Sequence, residues 1–235
     1  MVAEPAAYDR LVAATIGPCR AKRFLSRRRE VFLGGGNSPR RGHEAVDVKE
    51  LDRALGSTLA ILASVQPGQL DAPTPCASWD VRALINHFIG TARWWAGVVD
   101  GQDAGASADD TAVDYAAGDY VAAYQEAGKI AVAALGAPDV PGRMIRLPFG
   151  EFPGPAVVAM AALDQFTHGW DLARAIGYPA ELDPGIAADL LTHARVAITD
   201  GFRGPDGAAP FGVATEAPAG AGPADQLAAF LGRPV

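Results

Sequence analysis

The sequence predicts an all-α fold of four long helices followed by a small helical C-terminal end, and three observations carry the prediction. Beyond residue 46, apolar residues recur at three- and four-residue spacing in long blocks. Prolines fall between these blocks or at their edges, where they stop or start a helix. From Ala159 to Ile176 the apolar residues lie on several sides at once, the pattern of a helix mostly wrapped by protein.

The first helix follows from Val48, Leu51, Leu55, Leu59 and Leu62 and ends near Pro67-Gly68. The loop after it holds Pro73 and Pro75, and Ser78 is the expected N-cap of a second helix, about Trp79 to Val99, with Asp80 in its first turn. An acidic stretch of small residues, Gly101 to Asp110, precedes a third, Ala-rich helix over about Thr111 to Leu135, with Val113, Tyr120, Tyr124 and Val132 as core contacts. Pro148, Gly150 and Pro153 rule out a long helix between Val140 and Gly154, so this segment reads as an extended crossover. The fourth helix runs from about Pro155 to Ile176 and a fifth from Pro184 to Thr199. A Gly/Pro-rich loop and a short helix, Ala224 to Leu231, follow, and there is no internal repeat.

The net charge of -7 is unevenly spread. Residues 1–43 hold nine Arg or Lys against three acids, a balance of +6, and the rest holds 11 basic against 24 acidic residues, or -13. With Gly34-Gly35-Gly36-Asn37-Ser38-Pro39 after it, the basic part reads as a disordered extension over 1–43, ahead of a bundle over 44–180 and a C-terminal segment over 181–235. No stacking aromatics accompany Arg20, Lys22, Arg23, Arg27, Arg28 and Arg29, so no nucleic-acid partner is expected. No apolar run approaches the roughly 20 residues of a membrane helix, and no secretory signal is visible, which places the protein in the cytoplasm without a membrane partner. Cys19 and Cys76 are too few for a disulfide framework and are read as free thiols.

Asp164 and His168 stand four residues apart in the fourth helix and therefore on one face. So placed, a carboxylate and an imidazole can share one cation; the alternative is two polar residues on a solvated face. His87, on the second helix with Asp80, Leu84, Thr91 and Trp94, has the same two readings, ligand or core histidine.

Two blocks carry a resemblance. Pro73-Thr74-Pro75-Cys76-Ala77-Ser78-Trp79-Asp80-Val81-Arg82-Ala83-Leu84-Ile85-Asn86-His87 and Asp164-Gln165-Phe166-Thr167-His168-Gly169-Trp170-Asp171-Leu172-Ala173-Arg174-Ala175 resemble the metal-binding family related to the N-terminal domain of mycothiol-dependent maleylpyruvate isomerase, within the DinB-like group. The ending from Asp225 to Arg233 is similar to the family's terminal segment. The resemblance implies a DinB-like four-helix bundle with a long crossover before the fourth helix and a small C-terminal helical appendage. It also implies a divalent metal, zinc first and nickel second, held by His87, Asp164 and His168, where the isomerase has glutamate as the acid. Three protein donors leave a fourth position open. The family chemistry is thiol activation, which implies mycothiol as co-substrate, a small electrophile as partner, and a transferase or isomerase activity. The alternative is a metal-binding or small-molecule-binding module without chemistry. No strand-turn-helix nucleophile motif supports a hydrolase.

No residue is assigned a catalytic or thiol-binding role, and the chain is expected to be a monomer or homodimer. Asp80 and Asp171 are candidates to orient an imidazole. Trp79, Trp94 and Trp170 read as core or as pocket lining, Arg174 and Arg195 receive no role, and Cys76 is left out of the metal set. His43 and His193 have no second ligand at metal spacing and are expected to be exposed.

Overall fold

A computed structural model describes residues 46–76, 79–101, 113–148, 150–179, 182–205, 209 and 211–235. The basic extension over 1–43 and His43 lie outside the described residues. Among those described are six α-helices and one two-stranded hairpin, joined by loops and single 3-10 turns.

Helix α1, Val48–Leu62, starts where Asp47 and Glu50 form a reciprocal capping box, each side chain accepting a backbone N–H of the first turn. Leu51, Ala54, Leu55, Thr58, Ile61 and Leu62 form its buried face at helical spacing. In the loop that follows, Thr74 Oγ1 lies 3.1 Å from the carbonyl of Cys76 and 2.9 Å from that of Trp79, fixing both residues ahead of the next helix. Helix α2, Val81–Val99, is capped by Asp80, whose carboxylate accepts from Ala83 N at 2.8 Å. Asp80, rather than Ser78, is thus the N-cap, because an acceptor at this position reaches the third residue of the helix; Ser78 is outside the described residues.

Helix α3, Tyr120–Leu135, is shorter than the spacing predicts. Asp119 caps it through Ala122 N, and a separate 3-10 turn, Tyr115–Ala117, closes against Gly118 before it begins. Val113 is 52% exposed and makes no core contribution, contrary to expectation. The crossover is extended and also paired: β1, Met144–Leu147, and β2, Gly150–Pro153, form an antiparallel hairpin with Ile145 opposite Phe152. Ile145 and Leu147 are buried while Met144 and Arg146 are exposed, the period-two pattern of a strand with one covered face.

Helix α4, Gly154–Ile176, leaves the hairpin through a junction where Gly154 N donates to the Arg143 carbonyl at 2.9 Å. A Cβ at residue 154 would overlap the carbonyl oxygen of Val140, so only glycine fits this approach. Every residue from Ala161 to Ala173 is buried, because α1, α2, both strands and the two later helices all pack on α4. Helix α3 in turn packs on α1 and α2, so the four long helices share one core. Helix α5, Pro184–Ala197, is capped by Asp183, which also receives Arg53 of α1 at 2.7 Å. Helix α6, Pro223–Phe230, is tied to α4 by Asp225, which accepts from Trp170 Nε1 and Arg174, both at 2.8 Å. His193 is half-buried rather than exposed, and burial pulls its pKa below the ordinary value. No helix among the described residues is long and apolar enough to cross a membrane.

Candidate metal centre

Seven residues after its cap, α2 delivers His87 to the face of α4 that carries Asp164 and His168. The structure brings the three together: their ligand atoms all lie within 4.8 Å of one another, and all three residues are buried. Asp164 Oδ1 is 3.7 Å from His87 Nε2 and 3.6 Å from His168 Nε2, too long for direct hydrogen bonds. The two imidazoles meet edge to face with centroids 4.7 Å apart. Half-buried Trp79 covers both, its ring 4.2 Å from His87 and 5.6 Å from His168.

The other oxygen of Asp164 is held from within the core. Gln165 Nε2 donates to Asp164 Oδ2 at 3.1 Å, and the same amide reaches Thr91 Oγ1 at 3.0 Å and the Phe88 carbonyl at 3.2 Å. Its oxygen accepts from Tyr124 Oη at 2.9 Å, and its backbone carbonyl accepts from Thr58. Gln165 therefore joins all four long helices and turns Oδ1 toward the histidines. Burial raises the Asp164 pKa, but His87 and then the charge of His168 outweigh it, and the carboxyl sits below its ordinary value.

Behind His168 stands a second carboxylate. Asp171 Oδ2 is 3.1 Å from His168 Nδ1 and accepts from Cys76 Sγ at 3.1 Å and from Arg233 at 3.0 Å, while Arg233 Nε reaches Oδ1 at 3.2 Å. Desolvation of Asp171 is overcome by Arg233 and His168, which hold its carboxyl far below the usual range. Burial, together with the neighbouring Asp171, pushes the Cys76 thiol up, so Cys76 is a protonated donor here. Burial lowers the His168 pKa and His87 lowers it further, against the opposing pull of Asp171 and Asp164, so the ring is neutral near pH 7.

A neutral His168 beside an ionised Asp171 carries its proton on Nδ1, which leaves the Nε2 lone pair facing Asp164 Oδ1. Among the described residues no hydrogen bond reaches that buried oxygen. Lone pairs converging in a dry interior are costly unless a cation or proton lies among them. Two imidazole nitrogens and one carboxylate oxygen are a zinc-type donor set, and donors around tetrahedral zinc stand about 3.4 Å apart, close to the 3.6 and 3.7 Å that separate Asp164 Oδ1 from the two imidazole nitrogens. The residues fit a divalent metal. Cys76, His168 and Asp171 also cluster, but the guanidinium of Arg233 touches both Asp171 and Cys76. That cation supplies the positive charge a metal would bring, so the second cluster reads as the support of the first.

Of the other sequence candidates, Asp171 orients His168 whereas Asp80 serves as the helix cap. Trp79 covers the site, while Trp170 is buried with its N–H on Asp225, and Arg174 pairs with Asp225 over the Trp170 ring. Three contributors escaped sequence reasoning. Gln165, a polar residue beside Asp164 in an apolar run, was a visible signal. Cys76 and Arg233 had only their places in the family-like blocks to mark them.

The fold and this site define a class, an all-α protein with a buried acid-and-imidazole centre between its second and fourth helices. Residues 51–173 match the family model described as mycothiol maleylpyruvate isomerase N-terminal domain, and the chain belongs to that family, with its DinB-like fold. Two uncharacterized proteins of Mycobacterium tuberculosis, from strains CDC 1551 / Oshkosh and ATCC 25618 / H37Rv, are each 38% identical over 187 residues, covering 78% of this chain and 95% of theirs. No solved structure matches the chain.

Proposed function

We propose that the protein binds one divalent metal, zinc in the first instance, through His87, Asp164 and His168, and uses it to activate a small thiol for transfer to, or isomerisation of, a small electrophile. The observation that carries the reading is the buried meeting of three potential ligand atoms, of which Asp164 Oδ1 has no hydrogen bond among the described residues. Family membership supports a mycothiol-related role. When bound, the metal supplies Lewis acidity that lowers the pKa of a thiol at its open position.

The chain's own residues do the rest. His87 and His168 bind as neutral imidazoles, so the three protein donors carry a single negative charge and leave the centre cationic, suited to an incoming thiolate. Gln165 keeps Asp164 Oδ2 occupied and presents Oδ1. Asp171 holds the Nδ1 proton of His168, and Trp79 shields both rings from bulk water. Mycothiol is the proposed thiol and the cytoplasm the proposed compartment. A second reading, metal binding without chemistry, draws on the burial of all three ligand residues, with His87 at 3% and His168 at 2% exposure.

The test measures metal stoichiometry by native mass spectrometry and folding by circular dichroism on wild type, His87→Ala, Asp164→Ala and His168→Ala purified without chelator or nickel resin. Bound metal is expected to drop sharply in each variant while helicity persists. Unchanged stoichiometry in all three would end the metal assignment. Turnover of a model electrophile with a small thiol by the zinc-loaded protein then separates the two readings.

A further inference from the structure

We propose that Arg233 is a positioning residue for the metal centre: by holding Asp171, it fixes the proton of His168 on Nδ1 and keeps Nε2 bare toward Asp164. The inference rests on the metal reading above. It also extends the centre beyond residue 173, where the family match ends, into a part of the chain that contributes no proposed ligand.

The geometry around Asp171 is one-sided. Its side chain is fully buried, and every partner other than His168 donates: Arg233 to both oxygens and the Cys76 thiol to Oδ2. A guanidinium has five donors and no acceptor, so with Arg233 in place the carboxylate can only accept from Nδ1. Remove Arg233 and a buried carboxylate is left with a thiol and an imidazole. Only the thiol then holds the carboxylate toward the ring, so it can turn away from Nδ1. The ring loses the fixed acceptor that selects its tautomer, and its proton can pass from Nδ1 to Nε2, directed at Asp164, where it blocks the nitrogen meant for the metal.

Arg233 does not have to anchor its segment. Asp225 already ties the segment to α4 through Trp170 and Arg174, at a point that does not touch Asp171. Asp225→Asn is therefore the control for loosened docking.

The experiment reads the His168 ring nitrogens by 15N NMR on metal-free, 15N-histidine-labelled protein, and zinc affinity by competition with a chromophoric chelator. In wild type the proton is expected on Nδ1. Arg233→Met should move it toward Nε2 and weaken zinc binding by about 10- to 100-fold, the usual effect of losing an outer partner of a metal ligand. Arg233→Lys should recover part of both, since it restores charge but not the fork. Asp225→Asn should change neither. An unchanged tautomer in Arg233→Met would overturn the proposal, as would an equal loss in Asp225→Asn. Should Arg233→Met fail to fold, Arg233→Gln is read in the same way: a tautomer shift upholds the proposal and its absence refutes it. Because the tautomer is read without metal, a wild-type chain that takes up no zinc counts against the metal reading alone.

Discussion

Replacing Gln165 by leucine removes the hub of the polar core while nearly preserving side-chain volume. The Tyr124 hydroxyl loses its acceptor and Asp164 Oδ2 loses its donor, whereas Thr91 Oγ1 keeps its hydrogen bond to the Phe88 carbonyl at 3.2 Å. Two buried groups thus lose a partner at ~1–3 kcal/mol each, and leucine recovers roughly 1–2 kcal/mol by removing a buried amide, for a net loss of about 2–3 kcal/mol. Urea denaturation of metal-free protein, followed by circular dichroism, should show this fall in midpoint at constant slope. A double-mutant cycle with Tyr124→Phe isolates the mechanism. Tyr124→Phe should cost less in the Gln165→Leu background than in wild type, with a coupling of about 1–2 kcal/mol, because the orphaned hydroxyl is already the problem. A cycle that closes to within about 0.5 kcal/mol would refute the hub. Zinc affinity should fall as well, since Asp164 is then free to rotate.

Further expectations concern packing, protons and the basic extension. At Gly169→Ala the new Cβ would overlap Thr58 Oγ1 across the contact between α1 and α4, and overpacking should cost ~1–3 kcal/mol. Adding Thr58→Ala should restore part of that melting temperature, and no restoration would show that the strain lies elsewhere. His168 has a folded pKa below its unfolded value, so the unfolded chain binds more protons and metal-free stability should fall as pH drops from about 7 toward the folded pKa. His168→Gln should flatten that slope; an equal slope in both proteins would assign it to other groups. Asp171, also depressed, contributes stability above its unfolded pKa that is lost as pH falls below about 4, a loss that Asp171→Asn should abolish. Deleting residues 1–43, which carry the +6 balance, should leave the melting temperature nearly unchanged by calorimetry.

Much of the helical order was legible because periodicity and caps are local. The start of the first helix at Val48 and nearly all of Pro184–Ala197 are read from spacing and proline placement, whereas the first helix stops at Leu62, short of the expected Pro67-Gly68, which instead begins a separate 3-10 turn. The start of α3 was not legible, since Ala-rich sequence continues helical propensity back through a segment where Asp119 and Gly118 set the break. The crossover was legible as extended but not as a hairpin, because the pairing of Ile145 with Phe152 depends on a turn rather than on alternation alone. At the candidate centre, the i and i+4 relation of Asp164 and His168 is helical geometry and can be read directly. His87 needed the resemblance, as 77 residues separate it from Asp164. Arg233 could not be derived, because nothing in local spacing connects it with Asp171.

That last contact has a consequence for biosynthesis. Asp171 leaves the ribosome 62 residues before Arg233, a delay of about 3–12 s at roughly 5–20 residues per second. Throughout that interval α1 to α4 are already synthesised, yet the carboxylate meant for the interior of α4 has no counter-ion. A nascent chain that closed early would bury that carboxylate with only the Cys76 thiol and the His168 ring beside it, so the packing of α4 against its neighbours gains its full stability only when the guanidinium arrives. The acid behind His168 thereby ties the settling of α4 to a residue synthesised 62 positions later.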